Sequence, residues 1–134
     1  MTNKKKSNSL QIRVPVSVGE LLDKITILEI KSELIENSEL LIHVLHEYNL
    51  LRKKALKIDA NYQKNKLYKK LKLVNRTLWH IEDAKRLHEK EKKFDKNFIV
   101  LARAVYKKND LRAKIKKEIN LLYNSDIVEV KSYS

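Results

Sequence analysis

A mainly α fold, a four-helix antiparallel core, is predicted by three features of this 134-residue chain. It holds only one Gly and one Pro, the residues that most often interrupt helices. Charged residues make up 35% and hydrophobic ones 43%, a balance typical of helix-rich globular chains. Apolar side chains recur at helical spacing in four separate segments, and the length suits a single core.

The first segment, GELLDKITILEIK at 19–31, organises the rest. Ser17 followed by Glu20 reads as a capping box, so the helix should start there. At about 100° per residue, Val18, Leu21, Leu22, Ile25 and Leu28 share one face and Ile27, Ile30 and Leu34 another. A helix apolar on two sides belongs inside the fold. Glu29 and Asp23 lie among these apolar positions, where a plain core would have neither.

Residues 1–9 are polar and basic, and should form a disordered tail ahead of a single helical domain over 10–134. Leu10, Ile12, Val14 and Val16 alternate with Gln11 and Arg13, which predicts a short strand limited to an edge by Pro15. Ser38 is a candidate cap for a second helix running to about Ile58, with Leu41, Leu45, Tyr48, Leu51 and Ala55 as its seam. After a break at 59–65, Leu67, Leu71, Val74, Leu78 and Ile81 mark a third helix, expected to pair with the second as an antiparallel hairpin. A fourth runs from Phe94 to about Tyr123, with a bend or restart expected at Asn109 or Asp110. Ile127, Val128 and Val130 predict a second strand, and a small β-ribbon between the two terminal strands would close the core.

The composition limits function. With no cysteine there is no disulfide framework, thiol nucleophile or thiolate metal site. No run of about 18 apolar residues occurs, and the basic start lacks the apolar stretch of a signal peptide. A cytoplasmic protein with no membrane partner is therefore expected. The formal charge of +13 suits a polyanion, yet the 30 basic residues are mostly lysines, whereas base and bidentate phosphate recognition favours arginine.

Polar residues placed beside packing stripes carry the chemistry. On the third helix Asn75, Trp79, Glu82 and Arg86 follow one another at spacings of four, three and four; on the fourth, Asn109, Arg112, Lys116 and Asn120 continue an apolar line. With Asp23, Glu29 and Asp110 they could converge between helices, a usual place for a site in a bundle. Glu29 and Glu82 are the candidate catalytic carboxylates. Asp23, Asn75, Arg86, Asn109, Asp110, Arg112 and Lys116 are the candidate ligand-binding residues. Such a site would take an anionic small molecule or protein partner through Arg86, Arg112 and Lys116, with Glu29 or Glu82 as acid, base or orienter. A binding protein is the first reading of such a site, and the carboxylates would also allow an enzyme. Asp23, Glu29, Glu82 and Asp83 could instead hold Mg²⁺, but neighbouring arginines would already compensate them, so no metal site is expected. A purely structural ion-pair network is the competing reading.

Two further readings come from other stretches. Lys53, Lys54, Lys57, Lys66, Lys69, Lys70 and Arg76, interleaved with Tyr62 and Tyr68, have the make-up of a single-stranded nucleic-acid surface, as well as of a plain solvated face. The doubly apolar first helix could dock another chain in a regulatory or assembly role. His43 and His46 lie three apart, but no third ligand accompanies them.

The stretches GELLDKITILEIK at 19–31, VNRTLWHIEDAKR at 74–86, ARAVYKKNDLRAKIKKEIN at 102–120 and IVEVKSY at 127–133 resemble a family of short, uncharacterised bacterial and phage proteins classified as a domain of unknown function. The resemblance implies no reaction. It directs attention to Asp23, Glu29, Glu82, Asp83, Arg86, Asp110 and Arg112.

Overall fold

The computed structural model describes residues 9–132 and contains four α-helices there: α1 (Val18–Leu34), α2 (Ser38–Ile58), α3 (Lys66–Lys90) and α4 (Lys96–Leu122). A 3₁₀ turn at Tyr62–Lys64 joins α2 to α3. The basic tail expected at the start falls, apart from Ser9, outside the described residues.

Each helix starts on a side-chain acceptor. Ser17 Oγ accepts from Glu20 N at 3.0 Å, which gives one half of the expected capping box. The other half is absent, because the Glu20 carboxylate reaches across to Lys116 Nζ at 2.6 Å. Asn37 rather than Ser38 caps α2, accepting from the backbone of Glu39 and Leu40, since its amide oxygen can serve two orphan donors. Asn65 caps α3 and Asp95 caps α4. No restart occurs at Asn109 or Asp110: α4 is one helix throughout. Phe98 in its first half meets His88 of α3, whereas Arg112 and Lys116 in its second half reach Asp23 and Glu20 of α1.

Helix α1 is central and packs against all three others. Leu22, Ile25, Leu28 and Ile30 are buried on both of its sides. Ile25 meets Leu71 of α3 and Ile119 of α4 in one core, all three with no exposed surface. Each such side chain contributes roughly 1.5–3 kcal/mol. The pairing of α2 with α3 expected from sequence is not what forms. The hairpins are α1 with α2 and α3 with α4, while α2 reaches α3 only through the 3₁₀ turn. The reason lies in α1, which packs against both of them. Tyr62 and Tyr68, both buried and packed edge to face with centroids 5.2 Å apart, join the common core from the connecting turn and the start of α3.

The expected β-ribbon is also absent, and no strand occurs among the described residues. Leu10, Ile12, Val14 and Val16 are 88%, 77%, 66% and 46% exposed. With no helical surface under them, two short strands gain too little from a ladder to persist. The two ends are nevertheless held together by side chains. Val18 N donates to Ser125 Oγ at 3.1 Å and Ser17 Oγ to Glu129 Oε1 at 3.1 Å.

Candidate functional site

Asp23 is the centre of the polar interior. Its side chain has no exposed surface, because α1 carries it between α3 and α4. Asn75 Nδ2 donates to its Oδ1 at 2.7 Å. Arg112 Nε donates to the same oxygen at 2.9 Å and Nη2 to Oδ2 at 2.5 Å, the two-point fork that suits guanidinium and carboxylate. Asn75 also donates to Thr26 Oγ1 at 2.8 Å, and that hydroxyl in turn donates to the carbonyl of Asp23 at 2.7 Å.

Lys116 extends the network toward solvent. Its Nζ lies 2.6 Å from Glu20, 3.8 Å from Asp23 and 3.5 Å from Glu129. Burial alone would push the Lys116 ammonium down, but the hydrogen bond to Glu20 and the three carboxylate charges raise it above its ordinary value. The Asp23 hydrogen bonds raise the Arg112 guanidinium, against a smaller effect of burial. Both cations therefore stay charged at neutral pH. Asp23, with both oxygens occupied and no access to solvent, is an anchor for Arg112 and Asn75 and has no geometry for proton transfer to a ligand.

The outer faces of Arg112 and Asn75 line a groove of about 260 Å³ between α1, α3 and α4, shared with Ile27, Ile30, Leu78, Trp79, Glu82 and Arg86. Every member of the α3 stripe from Asn75 to Arg86 is on this wall. Glu82 and Arg86 are held loosely, Glu82 by Lys85 at 3.9 Å and Arg86 by Asp83 at 3.4 Å. Arg112 Nη1 makes only a long contact to Asn109 Oδ1, 3.5 Å.

Other sequence-predicted residues lie elsewhere. Glu29 does not join Asp23: its Oε2 pairs with Lys72 Nζ at 3.3 Å, and Lys72 also holds Glu33 at 3.1 Å. Arg76 pairs with Glu33 as well. Asp110 sits near Lys131 at 3.9 Å and, with Lys116, borders a different hollow on the far side of α4. Lys53, Lys54, Lys57, Lys66, Lys69 and Lys70 are exposed, but Tyr62 and Tyr68 are buried. Neither ring can stack on a base, which removes the aromatic half of the nucleic-acid pattern. His43 and His46 are exposed on α2.

Sequence reasoning missed Thr26, Glu20 and Glu129. Thr26 and Asp23 are three apart on one turn, which is a usable signal. Glu20 was absorbed by the capping pattern, and Glu129 reaches the cluster only because the chain end folds back over α1.

Among the described residues, no helix is long and apolar enough to cross a membrane. No curated protein and no solved structure matches this chain. A family model described as a family of unknown function, DUF6165, matches residues 12–134. The chain that builds this Asp23-centred interior belongs to that family.

Proposed function

We propose that the protein binds a small anionic molecule in the groove between α1, α3 and α4. The observation that carries this reading is that Asn75, Trp79, Glu82, Arg86 and Arg112 all line one cavity. Arg112 is preset by Asp23 through Nε and Nη2 and keeps its loosely held Nη1 for a ligand, so an anion meeting it costs little reordering. Asn75, whose amide hydrogens serve Asp23 and Thr26, offers only its carbonyl oxygen as an acceptor. Ile27, Ile30, Leu78 and Trp79 supply an apolar wall, which fits a ligand with an apolar body and a carboxylate or phosphate head. Glu82 is the carboxylate placed to orient such a ligand or exchange a proton with it.

A library of small aromatic and aliphatic acids, screened by ligand-observed NMR, tests the reading. Glu82 is half-buried and Arg86 exposed, so Glu82→Gln and Arg86→Ala should keep the helical circular dichroism. Arg86→Ala should weaken any acid that binds by about tenfold, the loss of one charged contact. Binding that neither substitution changes would place the ligand elsewhere, and no binding by any acid would remove the proposal.

A further inference from the structure

The far side of α4 carries a second hollow, separate from the Trp79 groove and independent of the reading above. It has a volume of about 400 Å³ and lies between α4 and the irregular chain end. Four lysines border it, Lys114, Lys116, Lys117 and Lys131, together with Asn120 and two carboxylates, Asp110 and Glu129. Lys114 and Lys117 are exposed and pair with no acid among the described residues. So much positive charge around one concavity attracts an anion.

The chain already supplies two carboxylates: Asp110 lies 3.9 Å from Lys131, and Glu129 is the one that reaches Lys116. Glu129 accepts from the buried Ser17 hydroxyl at 3.1 Å and lies 3.5 Å from Lys116. It arrives on a segment that forms no strand and buries little: Val128 is 47% exposed and Val130 86%. Side chains rather than a backbone ladder hold that segment, through Ser125 and Glu129. Lifting it would therefore sacrifice few contacts, and Lys116 would keep Glu20 and Asp23 as partners.

We propose that this hollow is a binding site for a phosphoryl group, free or carried on a small molecule, and that Glu129 is a built-in competitor which the ligand displaces. A phosphate carries more charge than a carboxylate and three acceptor oxygens that separate lysine ammoniums can meet as point charges. Among the described residues Glu129 makes its hydrogen bond to Ser17 and its ion pair with Lys116, so a phosphoryl group centred in the hollow gains Lys114 and Lys117 in addition.

The test is calorimetric titration of the full chain with inorganic phosphate, glycerol phosphate and acetate. Glu129→Gln keeps the side-chain length and removes the competing charge, so it should bind phosphate about tenfold more tightly than the wild type. Adding Lys117→Ala to Glu129→Gln should reverse most of that gain. Tighter binding of glycerol phosphate than of phosphate would identify an ester as the source, and the reverse order the free ion; both support the site. Equal phosphate affinity in the wild type and Glu129→Gln, or acetate binding as tightly as phosphate, would overturn the proposal. Should Glu129→Gln fail to fold, phosphate titration of the wild type followed by NMR decides: the amides of 128–130 should shift saturably, and unmoved resonances would overturn it.

Discussion

The amide of Gly19 donates to Asn120 Oδ1 at 2.6 Å, joining the first turn of α1 to the last turns of α4. The approach is close enough that a Cβ on Gly19 would stand 2.6 Å from the carbonyl oxygen of Lys116. That obstacle is backbone and cannot swing away. The single glycine of the chain thus sits where two helices touch, and serves no turn.

Gly19→Ala should therefore destabilise the protein, although alanine is the better helix former. Overpacking of this kind costs about 1–3 kcal/mol. Urea denaturation monitored by circular dichroism measures it, and a variant at least as stable as the wild type would contradict the close contact.

Arg112 neutralises an Asp23 that has no exposed surface. Arg112→Met should leave a buried charge without its main partner, at a cost on the order of 3 kcal/mol. Adding Asp23→Leu should recover part of that loss, because exchanging both members for apolar groups avoids the uncompensated charge. Melting temperatures of the two single variants and the double variant provide the comparison.

Among the described residues the buried hydroxyl of Tyr68 has no hydrogen-bond partner. Removing an unpaired buried hydroxyl forfeits no bond, so Tyr68→Phe should change stability by less than about 0.5 kcal/mol in either direction. A large loss in chemical denaturation would mean that the hydroxyl is bonded in solution.

Tyr123 OH donates to Asp59 Oδ2 at 2.7 Å, tying the end of α2 to the end of α4. This bond holds the Asp59 carboxyl below its ordinary 3.8, helped by the backbone of Asn61. Its contribution is present above that value and is lost as the pH falls through the lowered one. Burial first, and then the Asp59 bond, push Tyr123 up from 10.0 to about 12. A phenol raised in the folded state stabilises below pH 10 and stops doing so as the pH approaches 12. Tyr123→Phe should flatten stability at both extremes, and unfolding free energies measured across the pH range will show whether it does. Tyrosinate absorbance gives the alkaline limb directly.

The helices were legible because each signal is local. Ser17 and the apolar spacings in α1 and α3 act within a few residues, so periodicity and one cap suffice to read them. The stripe Asn75, Trp79, Glu82 and Arg86 was legible for the same reason, and it does line one wall. The terminal strands were not: alternation at Leu10–Val16 describes a segment able to form a strand, but a ladder also needs a covered face. Glu29 and Asp23 show the same limit. Both interrupt apolar faces of one helix, and nothing local says that one meets Lys72 and the other Arg112.

Amino-acid order was enough to establish four helices, the cap of the first, its burial on two sides, and polar stripes beside the packing positions. These depend on backbone geometry repeated every few residues, and no distant contact is needed to produce them. Tertiary structure decided which helices pair, which carboxylate is neutralised by which cation, and that Glu129 returns over the start of α1. Those outcomes depend on side chains about 50 to 110 positions apart competing for the same space and charge, and only the packed chain brings the competitors together.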